Sequence, residues 1–153
     1  MDRLSKEHRS WNMGRIRGKN TAPEILVRSS LHRLGFRFRL HAKSLPGKPD
    51  IVLPKWKAVI FVNGCFWHRH RNCPQAYTPK SRVGFWKSKF AATVRRDAKK
   101  LRQLHRAGWQ TFTIWECDLQ KSNFHGKLNA IIKKMTTSSI ASKLHDIGQG
   151  SVG

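Results

Sequence analysis

The sequence predicts a single α/β domain built on a mixed four-stranded sheet flanked by helices. Three observations carry this prediction. The apolar spacing switches between helical and strand periods in the order helix, three strands, helix, strand, helix. A chain of 153 residues is long enough to bury one core. Hydrophobic residues make up 39% of it, too many for a disordered chain. No internal repeat is visible.

Residues 1–20 read as a basic arm outside the core, with Arg9, Arg15, Arg17 and Lys19 set around Trp11, Met13 and Ile16. Thr21-Ala22-Pro23-Glu24 then supplies an N-cap, an early proline and an acid at the capping-box position. Ile25, Leu26, Val27, Leu31 and Leu34, closed by Gly35, complete a helix over about residues 22–34. Phe36-Arg37-Phe38-Arg39-Leu40 alternates apolar and basic, the period of a strand with one wet face. Leu45-Pro46-Gly47-Lys48-Pro49 is a turn, Asp50-Ile51-Val52-Leu53 a short strand ended by Pro54, and Trp56 to Val62 a buried strand. Asn63-Gly64 breaks that strand and opens a loop rich in His and Cys, running to about Ser81. From Val83 to Ala107, Phe90, Val94, Ala98, Leu101 and Leu104 recur on one helical face, and Gly108 is the stop. Trp109 to Trp115 is the fourth strand, and Leu128, Ile131, Ile132 and Met135 mark a last helix. The domain thus spans residues 21–135. Beyond Thr136 the composition turns to Ser, Thr and Gly, which reads as a flexible tail over 136–153.

Lys and Arg number 31 against 8 acids, a formal charge of +23. Such a balance points to a polyanionic partner and away from small neutral metabolites. The acids are Asp2, Glu7, Glu24, Asp50, Asp97, Glu116, Asp118 and Asp146, so candidates for carboxylate chemistry are few. The longest apolar run, Ala58 to Val62, is far short of the roughly 20 residues of a membrane span. The first residues lack the apolar stretch of a secretory signal, so a cytoplasmic, reducing location is expected. Three cysteines there suggest metal ligands before disulfides.

Cys65, His70 and Cys73 fall in one nine-residue stretch, and Cys117 follows just past the fourth strand. Three thiols and an imidazole are the ligand set of a closed tetrahedral zinc site, with His68 competing with His70 for the fourth position. Buried cysteines with no metal are the plainer alternative.

The elements Gly64-Cys65-Phe66-Trp67-His68-x-His70, Pro46-Gly47-x-Pro49-Asp50 and Trp115-Glu116-Cys117 closely resemble those of the very short patch repair (Vsr) mismatch endonucleases. Asn12-Met13-x-x-Ile16, Thr21-Ala22-x-Glu24 and Phe85-Trp86-x-x-Lys89 extend the resemblance over about residues 5–135. It implies a restriction-endonuclease-like core of the PD-(D/E)xK class. It also implies a magnesium-dependent enzyme that nicks the T-containing strand 5′ to the T of a T:G mismatch arising from deaminated 5-methylcytosine. By the same resemblance, Asp50 and the main-chain carbonyl of Val62 hold magnesium, His68 activates the attacking water and Glu24 supports it. Cys65, His70, Cys73 and Cys117 hold zinc. Phe66, Trp67 and Trp86 wedge into the duplex, and Met13, Ile16 and Lys89 contact it. The partners implied are mismatched double-stranded DNA and mismatch-repair proteins, met by a monomer acting at the nucleoid. Asn63 stands where the best-known members carry a histidine; it can hold a water but cannot exchange a proton at neutral pH.

The residues agree with this chemistry. Phosphodiester hydrolysis needs a neutralised phosphate and a deprotonated water, and magnesium is content with few protein oxygens. The strand after Asp50 carries no second acid or lysine, because residues 59–64 are uncharged. The His68 imidazole can serve as base. The plainer roles are a turn cap for Asp50 and a capping-box acid for Glu24. Phe66 and Trp67, flanked by metal ligands and by Arg69, Arg71, Lys80 and Arg82, are expected to be exposed for insertion between bases, whereas Trp109, Trp115 and most Phe residues belong to the core. Arg95, Arg96, Lys99, Lys100, Arg102 and Arg106 form a solvated face that touches phosphates. Two other functions fit the same residues: a sequence-specific homing or restriction-type endonuclease, and a zinc-stabilised DNA-binding protein without catalysis.

Overall fold

The Thr21 N-cap starts the first helix where its hydroxyl predicts. In the computed structural model, which describes residues 20–120 and 124–149 apart from the side chains of 146–149, α1 spans Ala22–Arg33. The basic arm, with Met13 and Ile16, lies outside the described residues. Helix α1 is closed as its glycine requires: Gly35 adopts φ +92, and the amides of Gly35 and Phe36 donate to the carbonyls of His32 and Leu31, the double bond of a Schellman end. Strand β1 (Arg39–Leu40), β2 (Ile51–Leu53), a 3-10 turn at Pro54–Trp56 and β3 (Ala58–Asn63) follow. A short helix α2 (Cys65–His68) opens the loop. The long helix α3 (Val83–Arg106) crosses to β4 (Gln110–Trp115), then come α4 (Glu116–Leu119) and α5 (Phe124–Gln149).

The sheet order is β1-β2-β3-β4, with β1/β2 and β2/β3 antiparallel and β3/β4 parallel. Alternation along the strands sends side chains to two cores. Ile51, Leu53, Ala58, Ile60 and Ile114 meet Val27 and Leu31 of α1 and Leu128, Ile131 and Met135 of α5. Val52 and Val59 face Leu104 of α3 on the other side. The result is three layers with the sheet in the middle.

Three boundaries and one helix face differ from the sequence reading. The strand expected over Phe36–Leu40 is reduced to its last two residues, because its partner β2 is three residues long between Pro49 and Pro54, and proline cannot extend the ladder. The strand expected from Trp56 begins at Ala58, after Lys57 takes a left-handed φ of 47. On α3 the inward face is rotated: Thr93 is buried, its hydroxyl bonded to the Lys89 carbonyl, while Val94 is 45% exposed. Finally, the last helix runs on to Gln149 instead of giving way at Thr136. No proline interrupts it, and the hydroxyls of Thr136 and Ser142 donate to carbonyls four residues back. No helix among the described residues is long and apolar enough to cross a membrane.

Ile60 is fully buried between β2, β4 and the α1/α5 layer. Ile60→Ala is therefore expected to cost about 2–5 kcal/mol in a urea titration, whereas Val94→Ala should stay within roughly 0.5 kcal/mol.

Candidate active site and metal centre

Strand β3 runs three residues past its pairing with β2, whose first residue, Ile51, lies opposite Ile60. The Val62 amide in that overhang donates instead to Oδ2 of Asp50, at 2.8 Å. Asp50 therefore sits at the start of an internal strand, with its carboxylate turned to β3. Glu24, in the first turn of α1, is 3% exposed. Its amide donates to the Thr21 hydroxyl at 3.4 Å, but its side chain reaches one residue further back than a capping box, accepting the Asn20 amide at 3.1 Å. The same oxygen, Oε2, bonds His41 Nε2 at 3.0 Å. Glu24, His41 and Asp50 each offer a ligand atom within 4.8 Å of the other two. Burial pushes the Asp50 carboxyl up to about 6, against the Val62 hydrogen bond and with a further upward push from the Glu24 charge.

His68 ends α2 and faces α3. Its Nδ1 lies 2.7 Å from Oδ2 of Asp97, and it is near enough for its charge to act on Asp50. Asn63 ends β3 beside Trp115 in the parallel register. Thus Glu24, Asp50, Val62, Asn63 and His68 gather around the carboxyl end of β3, joined by two residues the sequence reading left out. Asp97 had a visible signal, since it lies seven residues after Phe90 and seven before Leu104 on the inward face of α3. His41 had none, because the alternation of Phe36–Leu40 puts it with the arginines of a wet face.

A second group of donors starts from Cys65, the first residue of α2. Cys65, His70, Cys73 and Cys117 have ligand atoms within 4.8 Å of one another, with His70 Nε2 at 3.3 Å from Cys65 Sγ and 3.5 Å from Cys117 Sγ. The histidine chosen is His70; His68 is turned to Asp97. Trp115, assigned to the core from sequence, instead stacks on the His70 ring at 4.3 Å. Burial pushes the Cys65 thiol up to about 12, so an ion must displace its proton. Thiolates and imidazole suit a soft or borderline ion, and the carboxylates around Asp50 a hard one.

The aromatics between these groups pack together. Phe66 is half-buried among Trp67, Tyr77, Trp86 and Phe90, at centroid distances of 5.1–5.6 Å. This corrects the expectation that zinc ligands on both sides keep Phe66 and Trp67 out of a cluster: α2 lays them against α3. Arg69, expected among the exposed cations, binds the loop from within. Its guanidinium donates to the carbonyls of Phe66 and Tyr77 and to the Thr78 hydroxyl, and lies 3.9 Å from the Phe90 centroid. Lys89 keeps its ammonium 5.4 Å from the Trp67 ring at the surface.

Residues 1–75 match the family model of the DNA mismatch endonuclease Vsr. A type II nicking enzyme of Xanthomonas oryzae pv. oryzae is 50% identical over 118 residues, covering 77% of this chain and 86% of its own. The DNA mismatch endonuclease Vsr of Escherichia coli is 40% identical over 115 residues, 75% of this chain and 73% of its own. The chain belongs to the Vsr family of DNA endonucleases. A type II nicking enzyme of Neisseria meningitidis serogroup A is 39% identical over 135 residues, 88% of this chain and 96% of its own. In this Vsr-family chain the motifs around Glu24, Asp50, Cys65–His70 and Trp115–Cys117 fall around the ends of β3 and β4, while Asn12–Ile16 lies outside the described residues.

The raised Asp50 carboxyl links stability to pH. Its ordinary value is 3.8 and the folded one about 6, so the protonated form favours the fold below about pH 4 and that contribution is lost as pH rises through about 6. Without added divalent ions, the unfolding free energy of Asp50→Asn relative to the parent should therefore move in the variant's favour between about pH 4 and 6.5. A pH-independent difference contradicts the burial argument.

Proposed function

We propose that this protein is a mismatch-directed nicking endonuclease, cutting the T-containing strand of a T:G mismatch 5′ to the T and so initiating very short patch repair of deaminated 5-methylcytosine. The observation that carries the reading is His68, braced by Asp97, beside the Glu24, His41 and Asp50 group in a chain similar to an enzyme named DNA mismatch endonuclease Vsr. The fold arrangement is consistent with a PD-(D/E)xK-type core in which Asp50 is the one strand acid retained.

Asp50 and the Val62 carbonyl, with Glu24 beside them, are the groups that would hold magnesium, an ion that neutralises phosphate charge and acidifies water. With Nδ1 donating to Asp97, His68 keeps Nε2 to accept a proton from the attacking water, and Asp97 stabilises the imidazolium that results. Asn63 offers an amide to hold water or phosphate without exchanging a proton. Cys65, His70, Cys73 and Cys117 are the set for a structural zinc, which fixes the backbone on both sides of Phe66, Trp67 and His68. The cluster of Trp67, Phe66 and Trp86 would wedge against the duplex, with Lys89 for phosphate and Met13 and Ile16 contacting it from the arm. The +23 charge supplies sequence-independent affinity. In this reading the protein acts as a monomer in the cytoplasm at the nucleoid and hands its nick to mismatch-repair proteins.

Nicking should appear on a T:G duplex with magnesium and be absent on the matched duplex or with EDTA; equal cutting of the matched duplex would indicate a sequence-specific endonuclease, and none on either a binding protein. Asp50→Asn should abolish the nick while leaving DNA binding intact, and His68→Ala should slow it roughly 10²–10⁴-fold. Full activity of Asp50→Asn would sink the assignment. Asn63→His is expected to change the rate or its pH profile without moving the cleavage position.

Elemental analysis should find about one zinc per chain, and Cys117→Ser should lose it and melt early; well-folded, zinc-free protein would contradict this. Trp67→Ala should lower the preference for mismatched over matched duplex more than it lowers total affinity, as checked by parallel binding isotherms. Equal losses on both duplexes would reduce Trp67 to packing.

A further inference from the structure

Glu24 is a buried carboxylate whose two recorded hydrogen bonds both end on one oxygen. Oε2 accepts from the Asn20 amide at 3.1 Å and bonds His41 Nε2 at 3.0 Å. Among the described residues no hydrogen bond reaches Oε1. The last torsion of a glutamate is broad and two-fold, so one donor alone would let the two oxygens exchange. A second donor, arriving from a different element, fixes which oxygen is occupied.

His41 supplies that donor from the sheet. It follows β1 with φ 48, a left-handed conformation uncommon for a residue with a side chain. Its own amide donates to the Asp50 carbonyl at 3.2 Å. One residue thus ties its backbone to Asp50 and its ring to Glu24, setting the distance between a carboxylate from α1 and one from β2. Two such carboxylates repel each other, as the upward push of Glu24 on Asp50 registers, and a donor held on one of them offsets part of that repulsion.

We propose that His41 is a positioning residue of the metal site: its ring N–H fixes Oε2 of Glu24 and leaves Oε1 as the oxygen that Glu24 offers to a divalent ion at Asp50. The inference rests on the reading of Asp50 as the carboxylate that holds the ion. Partners that orient metal-site carboxylates typically cost 10–100-fold in affinity when removed.

The test uses the full chain with Mn2+ as the probe, its free concentration read by electron paramagnetic resonance, together with single-turnover nicking of a T:G duplex at varied Mg2+. His41→Ala should weaken Mn2+ binding about tenfold and raise the half-maximal Mg2+ concentration by a similar factor. His41→Gln, which keeps an N–H donor, should restore both to within about threefold, and in a Glu24→Ala background His41→Ala should add less than about twofold. Equal losses in His41→Ala and His41→Gln, or a full effect of His41→Ala without Glu24, would overturn the positioning role while Asp50→Asn still abolished Mn2+ binding. Undiminished Mn2+ binding in Asp50→Asn would instead remove the metal reading itself.

Discussion

The parallel pairing of β3 with β4 is the constraint on which the other features depend. A parallel neighbour cannot be reached by a tight turn, so 46 residues separate Asn63 from Gln110 in sequence while the register sets Asn63 opposite Trp115. Two chain segments therefore leave the sheet side by side. One carries Cys65, His70 and Cys73, the other Cys117, which explains how four donors distant in sequence meet within 4.8 Å. The helix that makes the crossover, α3, passes back over the sheet with Leu104 on Val52 and Val59 and brings Asp97 to His68. Gly108, with φ +83, ends that helix in the same double-bonded turn that closes α1 and lets the chain enter β4.

Charge is distributed against the background of a strongly basic chain. Among the described residues, the acids with placed side chains are Glu24, Asp50, Asp97, Glu116 and Asp118, and all five lie near the ends of β3 and β4. Asp118 accepts the Trp115 amide at 2.9 Å and pairs with Lys127, capping the turn into α4. Glu116 lies against Gly64, where an added Cβ would sit 3.7 Å from its carboxylate. Glu24, Asp50 and Asp97 are left for the site. Basic residues dominate the exposed face of α3, so a polyanion is attracted broadly while acids are confined to the place where chemistry needs them.

Local signals were legible and long-range ones were not. The caps Thr21, Gly35 and Gly108 mark their helices because each acts through its own backbone neighbours. The thiol and imidazole cluster is readable because three of its four ligands share one loop. The short β1 is not readable from its own alternation: Phe36 and Phe38 do pack against the core, but the length of the strand is set by the prolines around its partner. The continuation of α5 past Thr136 escapes a reading based on burial, since Ile140 and Leu144 are 56% and 64% exposed and leave no inward apolar stripe to read. His41 and Asp97 enter the site through contacts with residues 17 and 29 positions away, a separation that no local spacing rule spans.

One sheet end assembles two chemically distinct donor sets, the soft group of Cys65, His70, Cys73 and Cys117 and the hard group around Asp50 and Glu24. Crystals grown with Mn2+ and measured at the zinc and manganese absorption edges test this most directly. A zinc signal is expected among Cys65, His70, Cys73 and Cys117, and a separate manganese signal beside Asp50 and Glu24. Manganese among the thiols, or no manganese at Asp50, would contradict it.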